Sequence, residues 1–423
     1  MQTIKTSKLC VASCLSLLVT SLSFGIRAGI MGQLGTQFDL NAGELSTITA
    51  TAFWGFPLAV VIGGFIVDLI GMKRLLVMAF IFHLLGIVLT IFAQGYWTLF
   101  FSTLLIGIAN GTVEAACNPL VTALYPQNKT TRLNYFHLWF PGGIVLGSLL
   151  VLLLSHIGLN WQVQVGVMLI PTLIYGYLFS KLDFPVTERV AAGFTTADMY
   201  KGVLTPLYLF MLICMFGTAI TELFTNQWTG VLFKTVTDNA LLILTFVATI
   251  QVICRAFAGP IVHRLAPQGV LLISTILSAL GIYLLINLHG ESIFFAAVVF
   301  GLGVAFFWPC MIGFVAENIP QSGALGINLL GGGGMLAVSF YTIYMGGFYD
   351  RHTAQHLAAG TILDNYQKAA AGTQMANELA HAQSLAGFDV LHVTLIIPAV
   401  LIIAFAGLVF YMRSYRKKAV VAN

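Results

Sequence analysis

Glu114 lies within Gly107-Ile108-Ala109-Asn110-Gly111-Thr112-Val113-Glu114-Ala115-Ala116-Cys117-Asn118-Pro119, in the middle of an otherwise apolar segment long enough to cross a bilayer. Inserting a carboxylate at that depth is unfavourable by about 3 kcal/mol, so an acid there is expected to have a functional role. Gly107, Gly111, Glu114 and Asn118 follow i, i+4, i+7, i+11 spacing and share one helical stripe. Thr218, Glu222, Thr225, Asn226 and Thr229 form a second such stripe, with Gln227 and Trp228 beside it. Two cations, Arg27 and Arg255, also fall within apolar segments, and His137 sits just inside another, ahead of Trp139 and Pro141. These groups suit binding and proton chemistry. A buried carboxylate can carry a proton or pair with an arginine, amides, hydroxyls and imidazole can hydrogen-bond a polar solute, and the indoles of Trp228 and Trp308 offer faces for stacking. No nucleophile elbow, GxxxxGK[ST] phosphate loop or HExxH ligand cluster is present, so no catalytic residue, cofactor or metal is assigned and the chain is not read as an enzyme.

The elements that must position these groups are membrane helices. Hydrophobic residues make up 58% of the 423 residues and charged residues only 8%, with a mean hydropathy of +0.93, whereas about a quarter of a soluble domain is charged. Apolar windows fall at about 9–31, 45–69, 75–93, 97–123, 134–155, 162–180, 206–232, 240–265, 269–287, 293–316, 324–348 and 389–411, which is twelve spans. The first run is too long for the apolar core of a signal peptide and reads as an uncleaved helix. An even number of spans returns both termini to one side. Fourteen of the nineteen Lys and Arg residues lie on that side, against Lys234, Arg351 and Lys368 on the other, so both termini are expected in the cytoplasm. The net charge of +4 is spread over short loops and forms no nucleic-acid-binding patch. Six cysteines all fall in apolar segments without a CxxC pair and read as small core residues.

Residues 181–205 carry Asp183, Pro185, Glu188, Arg189 and Asp198 and divide the spans six and six. The expected organisation is a first six-helix bundle over 1–180, a cytoplasmic linker over 181–205 and a second bundle over 206–423. Asn118-Pro119 and Trp308-Pro309 stand at the same offset after Gly111 and Gly301, as internal repetition requires. An alanine-rich outer segment, 349–387, is expected to form a surface helix over the outer mouth, a lid being the alternative. Its His352, His356 and His381 are scattered and give only a weak metal signal. His83, alone on an apolar helix, is expected to be a hydrogen-bonded packing residue. Pro119, Pro141, Pro309 and the run Gly331 to Gly334 mark helices that can bend or approach closely.

Gly64-Phe65-Ile66-Val67-Asp68-Leu69-Ile70-Gly71-Met72-Lys73-Arg74, at the end of the second span, resembles the loop motif of the major facilitator superfamily, with Leu69 where that family usually has arginine. Gly259-Pro260-Ile261-Val262-His263-Arg264 is a partial echo after the eighth span. The resemblance implies an all-α membrane protein of two pseudo-symmetric six-helix bundles. It also implies that Gly64, Asp68, Gly71, Lys73 and Arg74 belong to a cytoplasmic gate held closed by charge pairing. Within the superfamily, Glu114-Ala115-Ala116-Cys117-Asn118-Pro119-Leu120-Val121, followed by Arg132-Leu133-Asn134, is similar to helices four and five of the fucose:proton symporter family. There the acid at the Glu114 position serves proton coupling or sugar binding, and His137 falls at a sugar-binding position. Phe140 stands where that family has a polar residue, and the family's first-helix acid is missing, with Arg27 nearby instead.

The expected function is therefore secondary active transport of a small hydrophilic solute, a monosaccharide, by alternating access, with Glu114 coupling it to protons. Arg27, Glu114, Asn118, His137, Glu222, Asn226, Gln227, Trp228 and Trp308 are the expected solute-binding residues, in a monomer embedded in a bacterial inner membrane. Arg27 either pairs with Glu114 or binds solute, and Arg255 contacts an anion, pairs with Glu222 or binds helix-end carbonyls. Two further readings stay open: a carrier of organic anions or zwitterions, motivated by the two arginines, and a transporter-like nutrient sensor, motivated by the outer segment.

Overall fold

The computed structural model describes residues 4–226, 240–288, 290–357, 363–367 and 372–421. Among them there are helices and turns and no strand. The first bundle comprises α1 (Thr6–Phe38), α2 (Ala42–Ile70), α3 (Met72–Ile91), α4 (Tyr96–Leu124), α5 (Lys129–His156) and α6 (Trp161–Lys181). Two short linker helices, Glu188–Ala191 and Thr196–Val203, lead to the second. That bundle comprises α7 (Pro206–Phe224), α8 (240–265), α9 (267–287), α10 (Gly290–Asn318), α11 (Gly323–His356) and α12 (Gln374–Val421). Among the described residues eleven helices are long and apolar enough to cross a membrane, and the shorter Thr245–Ala256 is the body of the eighth span. That span is distorted at Phe257 (φ −100°, ψ 18°), continues helically to Leu265 and turns at Ala266. Two six-helix bundles result, as expected.

Local chemistry explains several helix ends. Asn41 and Glu44 close a capping box at the start of α2, each side chain bonding the other's backbone N–H at 3.0 and 2.9 Å. Thr195 and Asp198 do the same for the second linker helix, and their hydrogen bonds hold the Asp198 carboxyl below its ordinary range. Thr205 caps α7, with Pro206 at its first position, where the missing N–H needs no partner. Gly71, at φ 86° and ψ 149°, is the single residue joining α2 to α3, a conformation that a Cβ disfavours. The expected outer segment 349–387 differs from the structure: α11 runs on to His356, 363–367 is helical, and α12 begins at Gln374. Alanine-rich sequence is strongly helix-forming, so helices continue where hydropathy ends.

The bundles meet along α2 with α11 and α5 with α8, and also along α4 with α11 and α5 with α10. A twofold relation that exchanges the bundles exchanges the members of each of these two sets. His83 is fully buried and bonded on both ring nitrogens, to Tyr175 Oη at 2.7 Å and Asn110 Oδ1 at 2.7 Å, while Asn110 Nδ2 donates to Ser23 Oγ at 3.1 Å. It is the hydrogen-bonded packing residue expected, tying four helices of the first bundle. All six cysteines are free.

Candidate functional site

Between the bundles lies a cavity of about 300 Å³, large enough for a small polar molecule, onto which Arg27, Glu114, His137, Glu222, Asn226 and Trp308 all face. Six of the nine residues expected to bind solute therefore converge from α1, α4, α5, α7 and α10. Asn118 is buried directly behind Glu114. Gln227 and Trp228 lie outside the described residues.

Glu114, 3% exposed, is about 18 residues into α4, roughly 27 Å from its start by helical rise, and so near mid-depth. Its Oε2 accepts a hydrogen bond from Asn118 Nδ2 at 2.6 Å, one helical turn along. Asn118 Oδ1 lies 2.9 Å from His137 Nε2, and His137 Nδ1 is 3.8 Å from Glu114 Oε1. Carboxylate, amide and imidazole are thus joined by two hydrogen bonds through Asn118, with the imidazole's other nitrogen within ion-pair distance of the carboxylate. His137 reaches it from a break in α5, where regular helix stops at His137 and restarts at Trp139.

The second cluster is built from helix irregularities. Glu222 sits in a π-turn, Ile220–Phe224, inside α7. The extra residue per turn re-aims the side chains that follow, and such turns recur at functional sites. Glu222 is consequently buried at the cavity wall, with Oε1 3.1 Å from Arg255 Nη2, rather than at a solvated helix end. Thr218, on the same expected stripe, bonds back to Met215 O at 3.2 Å within its own helix. Arg255, 2% exposed, uses its remaining donors on backbone: Nε to Ala305 O at 2.6 Å and Nη1 to His137 O at 2.8 Å. Pro141 and Pro309 stand four residues after His137 and Ala305 and offer no N–H, so both carbonyls need outside donors. One guanidinium fork therefore joins α5 of the first bundle to α7, α8 and α10 of the second. Of the roles open to Arg255, pairing with Glu222 and binding backbone carbonyls are both observed.

Arg27 differs. It does not pair with Glu114, and among the described residues it forms no ion pair. Arg27 lines the cavity, and no carboxylate of the described residues neutralises it there.

Sequence reasoning missed part of the wall. Gln251 lines the cavity, and its Nε2 is buried with no hydrogen-bond partner, a donor available to a bound molecule. Its position four residues before Arg255, on the same face, was the available signal. Phe24 packs against Phe53 and Phe140 at ring separations of 5.5 and 5.9 Å, making the first-bundle side of the cavity aromatic. With 32 phenylalanines in the chain, no spacing singles these out.

The residues expected at a gate lie at the linker side. Asp68 accepts from Thr187 Oγ1 at 2.5 Å and pairs with Arg189 Nε at 2.6 Å, both linker residues. Lys73 Nζ donates to Leu182 O at 2.9 Å, and Arg74 is exposed. Neither basic residue has an ion pair among the described residues, so the charge pairing implied by the motif runs through Asp68 and Arg189 instead. Gly64 faces α11 so closely that a Cβ would fall 2.7 Å from Asn328 Cβ. Asn328 Nδ2 in turn donates to Ala115 O at 2.9 Å. Lys129 reaches Ala316 O at 2.9 Å and Glu188 at 2.6 Å, and Thr130 Oγ1 donates to Glu317 at 2.6 Å. Among the described residues, the hydrogen bonds between bundles all lie at the depth of the cavity or on its linker side.

Comparison with known proteins agrees with this geometry. Residues 13–238 match the sequence profile of the Major Facilitator Superfamily. The chain is 25% identical over 181 residues to myo-inositol transporter 1 of Candida albicans, covering 41% of this chain and 33% of that one. It is 25% identical over 148 residues to the D-xylose transporter of Levilactobacillus brevis, covering 35% and 32%. The matched part thus spans about a third of these relatives' length. Among solved structures, a major facilitator transporter, FucP, in the outward conformation superposes with a TM-score of 0.67 at 16% identity over 93% of this chain and 99% of that one. The proton:xylose symporter XylE superposes with a TM-score of 0.67 at 15% identity over 92% and 94%. Each of these two likenesses is one of fold.

Proposed function

This chain belongs to the major facilitator superfamily, and on that premise we propose that it is a secondary active transporter of a small polyhydroxylated solute, a monosaccharide or cyclic polyol, coupled to protons. The observation that carries the proposal is the hydrogen-bonded set Glu114, Asn118 and His137 beside a cavity that, among the described residues, combines an aromatic wall with the unpartnered donor Gln251 Nε2. A sugar needs both: its hydroxyls seek groups such as Gln251 Nε2, and its C–H face seeks a ring such as Trp308. The transporters of inositol and xylose among its relatives support this solute class.

In this reading, solute enters from the side opposite the linker while the linker side is closed by the Asp68, Lys129 and Thr130 contacts. The Lys and Arg bias supports a cytoplasmic linker side, on which reading the conformation is outward-facing. With both acids ionised, Arg27 and Arg255 balance Glu114 and Glu222. A proton on Glu114 leaves the cavity one positive charge in excess, so solute binding and protonation sense the same field. Occupied and empty cavities then differ in the cost of closing over them, which is the differential interaction that alternating access requires.

Proton-driven uptake into reconstituted vesicles tests the assignment. Glu114→Gln is expected to abolish accumulation against a gradient while solute exchange persists. Undiminished uphill uptake by Glu114→Gln overturns it. One observation favours a second solute class: Arg27 lacks a counter-charge, which suits a sugar acid or another organic anion.

A further inference from the structure

The outer ends of α11 and α12 hold a cluster unconnected with the cavity. His352 and His356 stand four residues apart on α11, on one face, and Asp389 lies opposite on α12. His352 Nδ1 and His356 Nε2 each approach the same atom, Asp389 Oδ2, at 2.8 Å. The three ligand atoms all lie within 4.8 Å of one another. We propose that these side chains form a binding site for a divalent transition-metal cation of the zinc type, stapling the outer end of α11 to α12.

Three features carry this. Two imidazoles at i and i+4 point the same way and bite one ion without rearranging the helix. The donor set, two nitrogens and one carboxylate oxygen, suits zinc and its first-row neighbours and disfavours calcium or magnesium, which take oxygen ligands. Ligands about 2.0–2.1 Å from a tetrahedral zinc lie roughly 3.3 Å apart, so ligands now held by 2.8 Å contacts need separate only slightly as the ion replaces the shared protons. The side chains are 28%, 32% and 34% exposed, which leaves an entry path and room for a water as fourth ligand. Stacking on Phe348, with ring centroids 3.9 Å apart and planes 24° from parallel, fixes the His352 ring. Binding exchanges protons for the ion and is therefore weaker in acid. Sequence spacing had suggested only scattered histidines, because Asp389 is 33 residues beyond His356 and meets it only once α11 and α12 pack.

The test uses the full chain carrying no polyhistidine tag, stripped with chelator in detergent and titrated with ZnCl2 by calorimetry, with CoCl2 followed by its visible absorption. One equivalent is expected to bind, and His356→Ala or Asp389→Asn is expected to weaken binding at least about tenfold. His381→Ala is expected to leave it unchanged. His356 is exposed and its replacement spares the fold, which thermal unfolding of the metal-free variant checks. Absence of stoichiometric binding to the native chain, or equal binding by His356→Ala, overturns the proposal.

Discussion

The two arginines inside the bundles are the same residue type at similar depth and do opposite work. Arg255 spends its donors on Ala305 O, His137 O and Glu222, leaving it part of the framework. Arg27 keeps its charge for the cavity. Removing it is expected to reduce uptake of sugar acids by about tenfold or more, the worth of a hydrogen bond to a charged group, with a much smaller effect on neutral sugars. Competitive uptake of the two classes by Arg27→Ala measures this, and an equal loss for both assigns Arg27 to shaping the cavity. That buried charges would matter was legible from hydropathy alone, because a charge in an apolar window is visible in one dimension. Which acid meets which base was not: Glu222 and Arg255 are 33 residues apart, and their meeting depends on a π-turn that no helical periodicity signals.

Irregular turns do the positioning at the level of helices. α5 breaks at Leu138, α7 loosens over Ile220–Phe224, α8 distorts at Phe257, and α10 breaks before Phe307, each within a few residues of a cavity side chain. Regular helix satisfies its own backbone, but Pro141 and Pro309 offer no N–H, which frees the His137 and Ala305 carbonyls for Arg255 to claim. The loops reveal the internal repeat as well. Gly71 joins α2 to α3 at φ 86° and ψ 149°, and Ala266 joins α8 to α9 at φ 56° and ψ 163°. Each lies seven residues after the glycine of its motif copy, Gly64 and Gly259. The second copy has a Cβ where the conformation suits only glycine, a strain of about 1–3 kcal/mol. Ala266→Gly is expected to stabilise the protein by about 1 kcal/mol, part of the relief being offset by greater freedom of the unfolded chain. Thermal unfolding in detergent reads that gain, and a lower melting temperature contradicts it.

For the molecule as a whole, the hydrogen bonds and ion pairs that tie the bundles to each other and to the linker lie, among the described residues, at the depth of the cavity or on its linker side, and this asymmetry defines the conformation. Asp68 with Thr187 and Arg189, Lys129 with Glu188 and Ala316, and Thr130 with Glu317 hold the linker side shut. Breaking a buried pair costs about 3–5 kcal/mol, enough to move a two-state equilibrium by two orders of magnitude or more. Asp68→Asn is therefore expected to populate the opposite state. Cys310, fully buried and 3.7 Å from Asn134 Nδ2 across the bundle interface, is a native reporter. Its alkylation, quantified by peptide mass spectrometry, should rise at least about tenfold in Asp68→Asn; an unchanged rate places the closing energy in the other contacts. The sequence by itself determined that the chain is a twelve-span membrane protein in two related halves, and which ionisable groups are buried in it. Partition into a bilayer and repetition are properties of local composition, readable one segment at a time. Only the tertiary structure decided that Glu114 answers to Asn118 and His137, that Glu222 belongs to Arg255, and that Arg27 has no ion pair among the described residues. It alone also decided which side is shut. Those outcomes depend on how helices rotate, break and pack against partners distant in sequence, and a short-range contact is made or lost by a shift of one residue.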